Sequence, residues 1–135
     1  QKMKLKLIML VSLFAIGFAM SATAGSVTDG DSDLVPDGFD NCDADPNGPN
    51  QGSNQVDTDV DGYGNACDAD YDNDFTVSAA DFGTFLADFG GPGTLTDHDG
   101  DGQTTAADFG VFLGQFTGPP GTSGLPCAGT ANCTP

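Results

Sequence analysis

The sequence predicts a small, mostly irregular, ion-stabilised fold: Asp-rich loops wrapped around bound cations, plus two short packed α-helices arising from a loop-helix duplication. Three observations carry this. The chain of 135 residues holds 20 acidic side chains, all Asp, against three basic ones. The Asp residues cluster at every second position, as in "DTDVDGYGNACDADYDND" at 57–74. A repeat with an offset of 27 residues ends each copy in an apolar stripe of helical period.

The chain opens with features of an export signal. Lys2, Lys4 and Lys6 precede an apolar run from Leu7 to Met20, and Ala22-Thr23-Ala24 forms a small-residue cleavage site. A signal peptide over 1–24 is therefore expected, with no membrane span left after its removal, since the run is short for about 30 Å of hydrocarbon. Beyond it there is no Lys or Arg, and His98 is the single remaining cationic candidate. Internal salt bridges to Lys or Arg are thus excluded there. Nucleic-acid binding is excluded as well, because phosphate contacts need a positive face.

Residues 25–68 are poor in apolar side chains and rich in Asp, Gly, Asn and Pro, which argues against a conventional core. Residues 69–117 contain the duplication. "DYDNDFTVSAADFGTFLADFG" starts at Asp70 and "DHDGDGQTTAADFGVFLGQFT" at Asp97. Phe82, Phe85, Leu86 and Phe89 lie at i, i+3, i+4 and i+7, and Phe109, Phe112, Leu113 and Phe116 repeat the spacing. Neither helix is long enough to stand alone in water. The two Phe stripes are expected to pack on each other as core, with Gly83 and Gly110 letting the backbones approach. Residues 118–135 read as a Pro/Gly/Thr-rich surface tail.

Four Cys suit an oxidising compartment, and three pairings are formally possible. Cys42–Cys67 and Cys127–Cys133 are favoured because each pair flanks a plausible loop.

Two carboxylates about 4 Å apart repel by roughly 1 to 4 kcal/mol, so the clusters need a partner. Oxygen ligands at positions 1, 3, 5, 7, 9 and 12 of a twelve-residue loop, the seventh through its backbone carbonyl, define the EF-hand kind of calcium loop. Four windows fit. The first is Asp29, Asp31, Asp33, Val35, Asp37 and Asp40, and the second Asp57, Asp59, Asp61, Tyr63, Asn65 and Asp68. The third is Asp70, Asp72, Asp74, Thr76, Ser78 and Asp81, and the fourth Asp97, Asp99, Asp101, Gln103, Thr105 and Asp108. Every Asp except Asp43, Asp45 and Asp88 falls in a window.

Hard oxygen donors in flexible loops point to about four calcium ions; magnesium keeps more water, and zinc or copper would call for His or Cys. The sixth position, where Gly permits the sharp turn, is Gly62 and Gly102 in loops two and four but Leu34 and Phe75 in loops one and three. All four loops end in Asp rather than Glu. His98, second in the fourth loop, is read as a solvated loop residue.

With these motifs in view, residues 29–68, with "VPDGFDNC" and "DGYGNACD", resemble thrombospondin type 3 repeats. In that family calcium loops wrap ions with almost no hydrophobic core and disulfides link successive repeats, which supports the Cys42–Cys67 pairing. Residues 70–117 look like a type I dockerin, two calcium loop-helix motifs without an entering helix. That resemblance implies calcium-dependent folding and docking onto a cohesin partner. The partner-reading positions late in each loop are Ala79-Ala80 and Ala106-Ala107, a pair that allows a two-fold symmetric face.

Three functions compete. Paired carboxylates can do acid–base or glycosidic chemistry, but these recur in a metal-loop template with no Ser/His/Asp set or phosphate loop, so no enzyme is expected. A secreted calcium-binding structural protein, self-assembling into a fibre or surface layer, is expected ahead of a dockerin-like adaptor for a cohesin-type scaffold. The sequence shows no second domain for an adaptor to carry.

Overall fold

The computed structural model describes residues 27–134; the export-signal reading over 1–24 lies outside the described residues. Within them the regular elements are two 3₁₀ turns, Asp37–Phe39 and Asn65–Cys67, and two α-helices, α1 (Ala79–Asp88) and α2 (Ala106–Gln115), with no strand. Each element starts at the ninth or tenth position of one of the four acidic windows. The windows thus share one local plan: a tight loop feeds a helical turn, which stops after three residues in the first half and runs for ten in the second.

The two helices start for the same reason. Ser78 and Thr105 are N-caps whose side chains accept from the N–H of Ala80 and Ala107, and Asp81 and Asp108 complete capping boxes. Behind each helix the chain turns out through a left-handed residue, Gly90 after α1 and Thr117 after α2. Each outgoing segment then clasps the loop of the other repeat. The Val77 N–H donates to Gly118 O (2.8 Å) and Val77 O accepts from Thr117 (2.8 Å). The Thr104 N–H donates to Gly91 O (2.9 Å) and Thr104 O accepts from Gly90 (2.8 Å). This reciprocal pairing makes the duplication a pseudo-two-fold unit.

Its core is aromatic and small. Phe85 and Phe112 are 1% exposed, with Ala69, Tyr71 and Val77 around them and Phe82, Leu95 and Phe109 packed at the edge. Rings cross between the helices at centroid distances of 5.5 Å (Phe85–Phe109), 5.6 Å (Phe82–Phe112) and 5.7 Å (Phe85–Phe112). Each fully buried Phe contributes about 1.5 to 3 kcal/mol.

Only the first halves of the stripes are covered. Leu86, Phe89, Leu113 and Phe116 are 42–55% exposed, so the expectation that both whole stripes form core is corrected. The helices meet near their N-terminal halves, where the rings interlock. Gly83 and Gly110 do not serve the contact either. Both are exposed, and a Cβ at either position meets nothing within 4 Å.

The first half has a polar interior. Asn41 and Asn47 are fully buried, and their side-chain amides bond each other and Gln55. Gln55 in turn donates to Asp40 Oδ1 (2.7 Å), and the Asn47 N–H donates to Asp33 Oδ2 (2.9 Å). The stretch joining loops one and two is therefore tied to carboxylates of loop one. The disulfide Cys42–Cys67 closes this half, and Cys127–Cys133 closes a small loop at the chain end, the two favoured pairings.

Residues 118–134 are not a loose surface tail. Gly121, Gly124, Gly129 and Cys133 donate their N–H groups to the carbonyls of Cys67, Asp40, Asp61 and Val60, and Ser123 Oγ donates to Gly62 O (2.7 Å). The small residues are what allow this: a Cβ on Gly124 would collide with Asp37 O. Gln115 at the end of α2 bridges the halves, donating to Cys67 O (2.6 Å) and accepting from the Ala69 N–H (2.9 Å).

Since Gly83 and Gly110 face open space, Gly83→Ala and Gly110→Ala should each raise stability by about 0.5 to 1 kcal/mol. Urea unfolding in saturating divalent cation measures this; a loss of stability in either variant would place those glycines in the helix contact after all.

Candidate metal centres

All four windows adopt one backbone path. Their fourth residues, Ser32, Val60, Asn73 and Gly100, have φ of 66°, 62°, 59° and 72°. Their sixth, Leu34, Gly62, Phe75 and Gly102, have φ of 83°, 96°, 66° and 92°. Left-handed backbone is uncommon for a side-chain-bearing residue and a genuine outlier for a β-branched one. Such residues persist only where their surroundings over-determine them. Leu34 and Phe75 therefore take the turn that Gly takes elsewhere, at a cost in strain rather than by a different fold.

The fixing groups are the carboxylates. In every window the first Asp takes the sixth N–H on Oδ2: Asp29 from Leu34 (3.2 Å), Asp57 from Gly62 (2.9 Å), Asp70 from Phe75 (2.6 Å) and Asp97 from Gly102 (2.9 Å). Its other oxygen takes an N–H from the fourth or fifth residue. The fifth Asp accepts from the seventh N–H in three loops: Asp33 from Val35, Asp61 from Tyr63 and Asp101 from Gln103. These bonds close a tight turn between the fifth and seventh residues.

Each window then brings three carboxylates together with one oxygen of each within 4.8 Å of the others. They are Asp29, Asp31 and Asp33; Asp57, Asp59 and Asp61; Asp70, Asp72 and Asp81; and Asp97, Asp99 and Asp108. These four groups could hold metal ions, and each lies within one of the four windows read from the sequence, taking three of its six positions. The triplets take positions 1, 3 and 5 in the first half and 1, 3 and 12 in the second. Asp74 and Asp101 lie outside the triplets, as do Asp37, Asp40 and Asp68.

The ninth residues have other work. Ser78 and Thr105 cap the helices. Asn65 is 2% exposed and ties Thr58 to Thr94 through Nδ2–Oγ1 (2.8 Å) and Nδ2–O (2.6 Å) bonds. The Asp37 carboxylate accepts from the Gly30 N–H (2.6 Å).

The donor set fits a cation by an independent mark. Five buried side-chain oxygens have no hydrogen-bond partner among the described residues. Four are Asp31 Oδ2, Asp40 Oδ2, Asp59 Oδ1 and Asp68 Oδ2, the third and twelfth residues of loops one and two; the fifth is Gln51 Oε1. A buried acceptor left unpaired costs about 1 to 3 kcal/mol, and no Lys or Arg lies among the described residues to relieve it. A metal ion held in loops one and two would supply the missing partner.

The titration of these groups tells the same story. Burial, with Asp59, Asp57 and Asp70 nearby, pushes Asp61 up to about 6. Burial, with Asp61, Asp59 and Asp70, pushes Asp68 up to about 8. Asp108 shifts the other way. Burial raises it, but N–H bonds from Thr105, Asp99 and His98 together outweigh burial and hold it below the usual carboxylate range.

His98 corrects a sequence expectation. It is 2% exposed rather than solvated. Nδ1 meets the carbonyl of Asn65 and Nε2 meets the Tyr71 hydroxyl (2.9 Å), so one ring touches loops two, three and four. Burial lowers its pKa, keeping the ring neutral. No local pattern at position 98 could have revealed this, because both partners come from other loops.

Comparisons of the chain with protein-family models, with curated proteins and with solved structures find no match. The thrombospondin and dockerin resemblances stay expectations from sequence.

Two outcomes follow. Leu34 is 67% exposed at φ 83°, so Leu34→Gly should relieve about 1 kcal/mol of strain. It should tighten ion binding at loop one, seen by calorimetric titration; weaker binding would contradict it. The pH dependence follows from Asp61 and Asp68, whose folded pKa values lie above the unfolded value near 3.9. Their contribution is present below about pH 4 and is lost as pH rises through about 6 and then about 8. Metal-free protein should unfold at progressively lower urea across that range, and saturating divalent cation should abolish the fall. A metal-free midpoint that rises from pH 5 to 8 would contradict this.

Proposed function

We propose that this is a secreted, non-enzymatic calcium-binding structural protein, folded around about four calcium ions and mediating extracellular assembly as a fibre or surface layer. The observation that carries the reading is the recurrence of one loop geometry four times, each with a carboxylate triplet, among described residues that contain no Lys or Arg. Calcium suits oxygen-only donors and backbone carbonyls in irregular loops. Nitrogen and sulfur ligation has little to draw on: both His98 nitrogens are engaged and all four Cys are in disulfides.

Two disulfides are compatible with an extracellular setting. Among the described residues no helix is long and apolar enough to cross a membrane. Assembly draws support from the uncovered helix ends, where Leu86, Phe89, Leu113 and Phe116 remain exposed in two-fold related positions. Exposed apolar patches of this kind mark protein contacts.

A second reading, a dockerin-like adaptor for a cohesin-type scaffold, is favoured by one observation. Ala79, Ala80, Ala106 and Ala107 open the two helices in equivalent, exposed positions.

Removing calcium with a chelator should abolish the helical circular dichroism and disperse any particles, and restoring calcium should recover both. Electron microscopy of the calcium-loaded protein should show ordered polymers. Uniform monomers that capture a cohesin would replace assembly with docking, and spectra indifferent to chelation would remove the calcium reading altogether.

A further inference from the structure

The small loop closed by Cys127–Cys133 grips the backbone of loop two. Its Cys133 N–H donates to Val60 O (2.9 Å) and its Gly129 N–H to Asp61 O (2.8 Å). Ser123, shortly before it, donates to the next carbonyl, that of Gly62. From within loop two the Asp57 carboxylate accepts from the N–H groups of Val60 (2.7 Å) and Gly62 (2.9 Å). Val60 is β-branched and left-handed, with φ of 62°, a conformation that persists only where its surroundings impose it. Here the chain end and Asp57 impose it together.

The same loop packs on the sixth residues of two windows. A Cβ on Gly62 would lie 2.5 Å from Cys133 Sγ and 2.9 Å from Ala128 Cα, so the disulfide itself sits on the turn of loop two. A Cβ on Gly129 would lie 2.5 Å from Phe75 Cζ, so the ring at the turn of loop three rests on Gly129. Gly129 and Ala131 wall a cavity of about 220 Å³ with Asp59, Asp61, Asp70 and Phe75, carboxylates of both centres among them. Loops one and four are placed differently: Leu34 is 67% exposed, and a Cβ on Gly102 meets nothing within 4 Å. The two disulfides also differ in access. Cys42 and Cys67 are fully buried, whereas Cys127 is partly exposed.

We propose that the Cys127–Cys133 loop is a redox-controlled clamp on the second and third metal centres. Closed, it fixes the turns that set Asp57, Asp59, Asp61 and Asp70 around an ion; open, it releases them and lowers the affinity of both centres. Opening takes a dithiol. One of its thiolates attacks the Cys127 sulfur and expels Cys133 as a thiolate, and its second then displaces Cys127. The protein disulfide gains two electrons and the reagent becomes a disulfide. A disulfide oxidant reverses the exchange, so full ion capture waits until the chain reaches an oxidising compartment. The proposal rests on the calcium reading of the loops and adds their regulation to it.

The test titrates calcium into full-length protein and follows amide NMR signals, reading loops one to four through Leu34, Gly62, Phe75 and Gly102. The closed form is compared with the double variant Cys127→Ser/Cys133→Ser. It is also compared with wild-type protein opened by limited dithiol and alkylated, with peptide mapping to show label on Cys127 and Cys133 alone. Opening should move the Gly62 and Phe75 midpoints to higher calcium by about 10-fold or more, the usual effect of losing groups that orient metal ligands from outside. The Leu34 and Gly102 midpoints should stay in place. Four unchanged midpoints overturn the clamp. A uniform shift or loss of all four signals overturns it too, because the disulfide would then support the whole fold. Calcium that perturbs none of the four signals in the closed form fails the proposed function instead, so the two failures are distinguishable.

Discussion

Mutual repulsion among convergent carboxylates is the constraint on which the rest of this structure depends. Each loop gathers three Asp oxygens within 4.8 Å, where every pair costs roughly 1 to 4 kcal/mol if ionised and unscreened by a counter-ion. Ordinary domains offset such clusters with Lys and Arg. Here the described residues contain neither, and the aromatic core of Phe85, Phe112 and their neighbours is small. Without a cation or protons on the clusters, the loops oppose the fold that they build.

The same carboxylates also organise the backbone, which couples ion binding to secondary structure. Asp81 and Asp108 close the third and fourth triplets and are also the capping-box residues of α1 and α2. Helices of ten residues are marginal alone, so an ion that fixes Asp81 fixes the start of the helix as well. In the first half the equivalent turn stops after Cys67, where the disulfide to Cys42 takes over as the tether. His98, Gln115 and residues 118–134 then join the halves by hydrogen bonds to Asn65, Tyr71, Cys67, Asp61 and Asp40.

What the sequence made legible was local. Alternate Asp residues, the 27-residue offset and the Phe spacing located all four triplets and both helices, because loop ligands and helix faces are set by near neighbours. What it hid was set at a distance. The burial of His98 depends on Asn65 and Tyr71, and the docking of the chain end depends on carbonyls 54 to 84 positions earlier. Leu34 and Phe75 looked like departures from the turn rule, yet the carboxylates of Asp29 and Asp70 hold them in the conformation of Gly62 and Gly102. The covered half of each Phe stripe was unreadable too, since the point where two helices cross is not written in either period.

Small-angle X-ray scattering at neutral pH, on metal-free and then calcium-saturated protein, tests the dependence on cations most directly. Dissociated chains of this length should contract from a radius of gyration of about 30 Å to about 13 Å as the loops fill, the values for unfolded and compact chains near 100 residues. A metal-free chain already at the compact value would contradict the central role given to the ions.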